Sequence, residues 1–158
     1  MARSFWGHRA VAGLREAQRC ERPEGMPVAR LKGTKALGLG FEKAVAKALP
    51  GALHGPWYEF VDRDGHGFCQ PDLVLVLAKL VLVIECKLSD TPAARAQLGE
   101  LYLPVCALAH HRPAKGLVIV KHLKPESTKV FGRLSEALQA LDEQNAPCLH
   151  WIGRGALG

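Results

Sequence analysis

The sequence predicts an α/β fold in which a mixed sheet is flanked by helices. Three observations carry this: one stretch with a helical apolar period, a group of short apolar segments separated by Gly- and Pro-containing turns, and a Thr-Pro helix start followed by another apolar segment. The 158 residues are about one domain in length and, at 48% hydrophobic with 23% charged, can bury a substantial core.

In chain order, residues 1–34 mix arginine, glycine and "RPEGMP" without a sustained period, and predict a short helix around 9–20 followed by an irregular arm. From Lys35, "KALGLGFEKAVAKALPG" sets Leu37, Phe41, Val45, Ala48 and Leu49 on one helical stripe, which Pro50-Gly51 stops. "WYEFVDRDGHGFCQPDLVLVL" reads as a strand, a Gly-rich turn and a second strand, and "KLVLVIECKL" as a third. "SDTPAARAQLGELYLPVCALAHH" opens with Thr91 as N-cap and Pro92 at the first helical position, so a helix is expected that kinks or ends near Pro104. "GLVIVKHL" is a fourth strand, "STKVFGRLSEALQALDEQ" a helix and "PCLHWIG" a short last strand. The order is αβββαβαβ, giving a basic arm over 1–34 and a single domain over 35–158.

The charge is uneven. Of the net +6, five charges lie in the first 35 residues, where eight arginines and lysines meet only Glu16, Glu21 and Glu24. Such an arm suits a polyanion, although a basic tail that serves only solubility has the same composition. No apolar run of about 18 residues is available to span a bilayer, and no continuous apolar segment marks a secretory leader. A soluble cytoplasmic protein without a membrane partner is expected, with the Arg-rich start also compatible with an organelle transit peptide. The five cysteines form no CxxC pair and no zinc spacing, so they read as reduced thiols; His54, His110 and His111 lack partners at ligand spacing and receive no role.

The stretch "LVLVIECKL" raises a sharper question, because an apolar strand that exits into Glu85 and Lys87 needs a reason for those charges. If the second and third strands form a hairpin centred between Ala78 and Lys79, Asp72 stands opposite Glu85 on one side of the sheet. Alternation along the strand adds Lys87 to that side and turns Cys86 to the other. Two carboxylates about 5 Å apart repel by roughly 3 kcal/mol at an effective dielectric of about 20. A divalent cation between them reverses the sign, and oxygen ligands on a hairpin suit Mg²⁺ or Mn²⁺. The bland alternative is a strand-end salt bridge between Glu85 and Lys87, with Asp72 in a turn after Pro71. Glu42 raises a related question. It falls in line with Gly38, Val45 and Leu49 rather than with Lys43 and Lys47, so its carboxylate needs a partner: a water on the metal, or a nearby lysine.

"PD" at 71–72 followed after twelve residues by "ECK" at 85–87, between apolar strands, resembles the PD-(D/E)XK nuclease superfamily. The resemblance implies a restriction-endonuclease-like αβββαβ core, which the order from Lys35 to His122 matches. It further implies that Asp72 and Glu85 hold the metal, that the backbone carbonyl of Cys86 completes its shell, and that Lys87 sits beside the attacking water. Glu42 corresponds to the acidic residue of the first core helix, reaching the metal through a water. The RecB-like branch adds a glutamine and a tyrosine from the next helix, here Gln97 and Tyr102, although the spacing exceeds the usual glutamine-x3-tyrosine by one residue. "RLKG" at 30–33 is similar instead to the Holliday junction resolvase branch.

The function expected is thus metal-dependent hydrolysis of DNA phosphodiesters, with Arg30, Lys32, Lys35 and Lys43 gripping the backbone. A junction resolvase and a non-catalytic nucleic-acid-binding protein of the same fold are the alternatives. A compact nuclease of this kind would suit a virus or mobile element, and the sequence leaves a homodimer open. Two other motifs carry less. "DRDGHG" at 62–67 resembles the start of a calcium loop but has Leu73 where the glutamate belongs, and reads as a hairpin turn. "GLGFEK" at 38–43 lacks a third glycine and a βαβ context.

Overall fold

The computed structural model of the protein describes residues 9–25, 34–89, 92–122, 130–131 and 150–152. Its α/β architecture has two sheets where the sequence predicted one. The larger is mixed and six-stranded. Its strands are β2 (Leu53–His54), β5 (Leu73–Val76), β6 (Val81–Ser89), β7 (Ala114–His122), β9 (His150–Ile152) and β8 (Val130–Phe131), in that spatial order. β5 is antiparallel to both of its neighbours, β2 and β6, whereas β6, β7, β9 and β8 run parallel. The smaller sheet sets β3 (Trp57–Asp62) between β1 (Glu16–Cys20) and β4 (Gly65–Cys69).

β6 explains why the large sheet is layered on both faces. Val81, Leu82, Val83 and Ile84 are all fully buried, the continuous apolar signature of a strand covered on two sides. Leu82 and Ile84 join Leu73, Leu117 and Ile119 under helix α1 (Thr34–Ala48), which contributes Phe41 and Val45, with Leu49 just past its end continuing the four-residue interval. Burying each of those three side chains contributes about 1.5–3 kcal/mol. Beyond the helix Ala52 N–H donates to Leu49 O at 3.1 Å, closing a turn with Pro50 second and Gly51, at φ +88°, third, a conformation that suits glycine. Val81 and Val83 face the opposite layer, formed by α2 (Pro92–Gln97), a π-turn (Leu98–Tyr102) and α3 (Leu103–His110). Tyr58, Phe60 and Cys69 of the small sheet close the same cluster.

Several expectations need correction. Residues 9–20 are not helical: Gly13 takes φ +62°, and Glu16–Cys20 extend along β3 with Ala17 turned inward and its neighbours outward. Val11, Leu14 and Ala17 pack on the core, so part of the supposed arm is built into the fold. The single strand expected ahead of Leu77 is two. β4 ends at Cys69, and the chain passes through Gln70-Pro71 into β5 of the other sheet, because proline has no N–H for a continuing ladder. Val130–Phe131 form a strand where a helix was expected over 127–144; the rest of that helix lies outside the described residues, as does the Thr91 cap.

Other expectations hold. Arg63-Asp64 make the β3–β4 turn, with Gly65 at φ +118°, and the last strand lies within the expected segment. Gly67 stands directly opposite Phe60, and a Cβ there would come within 2.6 Å of the ring, so only glycine admits this aromatic. The described cysteines, Cys20, Cys69, Cys86 and Cys106, are free. Among the described residues no helix is long and apolar enough to cross a membrane.

Candidate active site

The β5–β6 hairpin adopts the register expected. Leu73 faces Ile84 and Val76 faces Val81 across a four-residue loop, which Leu77 N–H closes by donating to Leu80 O at 2.9 Å. Asp72 precedes the first paired residue, and its side chain continues the ladder in place of its backbone. Cys86 N–H donates to Asp72 Oδ2 at 2.7 Å, holding that carboxylate against the residue next to Glu85.

Glu85 is 3% exposed, so it is not the surface residue of a bland strand-end pair. Lys87 Nζ lies 2.8 Å from Glu85 Oε1, an ion pair between alternate residues of one strand face. Glu85 Oε2 is buried and has no hydrogen-bond partner among the described residues. A buried carboxylate oxygen left in that state costs about 1–3 kcal/mol or more. The Cys86 side chain packs on the other face, in the cluster under α1.

Electrostatics tie these groups together. Burial, then the Glu85 charge, then Glu42, push the Asp72 carboxyl up to about 8, against the Cys86 N–H and Lys87. Burial also raises Glu85, although Lys87 pulls it back. For Lys87 burial works to lower the pKa, but Glu85 and Asp72 outweigh it and keep the ammonium charged. Two acids that each favour a proton, one with an unpartnered oxygen, form a donor set that a hard divalent cation fits. Among the described residues, however, no group of three or more His, Cys, Asp and Glu is gathered for metal ligation. The site is a carboxylate pair with a lysine, not a closed cage of protein ligands.

Glu42 is on α1 at the edge of the apolar stripe, as the helical wheel required. Its partner among the described residues is not a lysine but His54 on β2, whose Nε2–H donates to Glu42 Oε1 at 2.9 Å. The Glu42 charge still reaches Asp72 and Glu85, raising both. His54 carried no sequence signal, because β2 is two residues long and shows no period.

Gln97 and Tyr102 are brought together by the π-turn. Leu103 N–H donates to Leu98 O, a five-residue closure, so residues five apart share a face and Gln97 Nε2 donates to Tyr102 Oη at 2.7 Å. The extra residue in the spacing is absorbed by the wider turn. Its cause is Pro104, which offers no N–H to the turn before it. Glu100 O, four residues earlier, accepts instead from Val11 N–H at 3.0 Å. Tyr102 is nearly buried, and after burial itself the Glu85 charge does most to raise its hydroxyl pKa. The spacing of Gln97, Tyr102 and Pro104 was the available signal.

Of the residues expected to grip nucleic acid, Lys43 is exposed on α1 and Lys35 lies in its first turn; Arg30 and Lys32 lie outside the described residues. Asp62 is removed from any cation role. Arg9 binds it through two nitrogens at 2.6 and 3.1 Å, and Ala12 N–H and Asp64 N–H complete its shell. Comparison with protein-family models, curated proteins and solved structures gave no match.

Proposed function

We propose that the protein is a metal-dependent DNA nuclease of the PD-(D/E)XK type, hydrolysing phosphodiester bonds. The observation that carries this reading is the unpartnered, buried Glu85 oxygen beside Asp72, with Lys87 on the same strand face. Asp72 and Glu85 would hold Mg²⁺ or Mn²⁺, with the Cys86 carbonyl and a water carried by Glu42 completing the shell. A bound divalent cation supplies Lewis-acid polarisation of the phosphoryl oxygen and a water of lowered pKa.

The remaining chemistry belongs to side chains. Lys87, kept charged by Glu85, orients the attacking water and stabilises charge developing on the phosphate. Gln97 is bonded to Tyr102, whose hydroxyl feels the Glu85 charge, and so connects to the site through that tyrosine. Lys43 and Lys35 on α1, together with Arg30 and Lys32, would neutralise backbone phosphates, so binding should weaken steeply with salt.

The test is incubation of the purified protein with linear, supercoiled, single-stranded and four-way-junction DNA in Mg²⁺ or EDTA. Cleavage is expected only in Mg²⁺ and should fall about 100-fold or more in Asp72→Ala and Glu85→Ala. Cleavage unchanged by those substitutions would refute the site. Binding without cleavage by the unaltered protein would identify a non-catalytic nucleic-acid-binding protein.

A further inference from the structure

His54 lies outside the sequence motif, yet it connects the site's separate elements. It faces Leu73 across the β2–β5 ladder, on the side of the sheet that α1 covers, and from there its imidazole binds Glu42. The next residue is fastened to the acid pair: Gly55 N–H donates to Asp72 O at 2.8 Å. Gly55 takes φ +60°, a left-handed conformation that glycine adopts freely, and Gln70 Nε2 donates to its carbonyl at 3.0 Å. A continuous path therefore runs from Glu42 through His54 and Gly55 to the backbone of Asp72. The Asp72 carboxylate then bonds Cys86 N–H, adjacent to Glu85.

The path has a geometric purpose. α1 packs on the face opposite to the one that carries Glu85 and Lys87, yet the charge of its Glu42 is felt by both Asp72 and Glu85. A glutamate side chain has three rotatable bonds, and without a partner it would spread among rotamers directed into solvent. The His54 N–H, one residue from the Gly55–Asp72 contact, holds the carboxylate in one rotamer.

We propose that His54 is a positioning residue, fixing the Glu42 carboxylate so that its charge strengthens the hold of the Asp72–Glu85 pair on a divalent cation without Glu42 ligating it directly. This rests on the metal-site reading above and deepens it. The test is calorimetric titration of the full chain with Mn²⁺ alone, without DNA, beside thermal unfolding in EDTA.

His54→Ala should bind Mn²⁺ about 10-fold more weakly than the unaltered protein. His54→Gln, which keeps an N–H donor of similar reach, should recover most of the loss. In a Glu42→Gln background the alanine substitution should have no further effect, because the group it positions is gone. Unchanged Mn²⁺ affinity in His54→Ala, or an equal loss with and without Glu42, overturns the inference while leaving the metal site standing. If His54→Ala fails to fold, His54→Gln against His54→Met carries the test, and equal affinities overturn it. An unaltered protein that takes up no Mn²⁺ overturns the metal site and this inference together. Mn²⁺ uptake without DNA cleavage sinks the nuclease reading alone and leaves His54 to be judged by its own variants.

Discussion

Asp72 is a carboxylic acid whose surroundings favour the proton. Between its ordinary 3.8 and about 8, the folded protein holds a proton on this residue that the unfolded chain has released. Stability of the cation-free protein should therefore fall as pH rises through that window, and raised Glu85 acts in the same direction. Asp72→Asn keeps an acceptor for the Cys86 N–H but removes the titration. Thermal unfolding in EDTA from about pH 6 to about pH 8 should show a declining Tm for the unaltered protein and a flatter profile for the variant. Added Mg²⁺ should restore only the unaltered protein; parallel profiles would contradict the assignment. Lys87 makes a second residue-scale test. Lys87→Met leaves Glu85 without its partner, costing about 1–3 kcal/mol of stability and lowering cleavage by about 100-fold or more. Urea unfolding and a cleavage assay read the two effects separately.

Elements carry consequences that single residues do not. The segment before β1 is fixed by the Arg9–Asp62 pair, whose acid is fully buried and whose arginine also lies 4.9 Å from the Phe60 ring centre. Burial works to raise the Asp62 carboxyl, but its bonds to Arg9, Ala12 and Asp64 prevail and hold it below its usual value. Arg9→Met should cost about 3–5 kcal/mol in chemical denaturation, because it strands a buried charge. The same segment donates Val11 N–H to Glu100 O in the π-turn, so loosening it should also perturb the Gln97–Tyr102 contact. Amide exchange at Val11 and Leu103, faster in Arg9→Met than in the unaltered protein, would register that coupling. Gly67→Ala should cost about 1–3 kcal/mol, since its methyl group would meet the Phe60 ring at 2.6 Å.

At the scale of the molecule, what the sequence reveals follows from where its signals are local. The β5–β6 register was readable because a short even-length loop centred between Ala78 and Lys79 fixes the facing pairs, whereas the apolar run, buried on both faces, does not by itself choose a register. α1 was readable for a similar reason, its stripe at Phe41, Val45 and Leu49 being complete in itself. Residues 9–20 were misread because their Ala, Leu, Arg, Glu and Gln favour a helix, while pairing with β3 and the demand of Asp62 for Arg9 are decided 37 to 53 residues away. The division into two sheets hides behind Gln70-Pro71, which reads equally well as a bulge or a sheet exit. His54 could not be read at all, since its meaning depends on β2 lying beside β5.

The claim on which the account rests is that Asp72 and Glu85 share one divalent cation. Diffraction from crystals soaked in Mn²⁺, with anomalous data collected at the manganese edge, tests it most directly. The account predicts a peak within about 2.2 Å of an oxygen from each carboxylate, with Lys87 displaced from neither strand nor face. A soaked crystal with no peak between them, or with manganese bound only elsewhere on the chain, would contradict it.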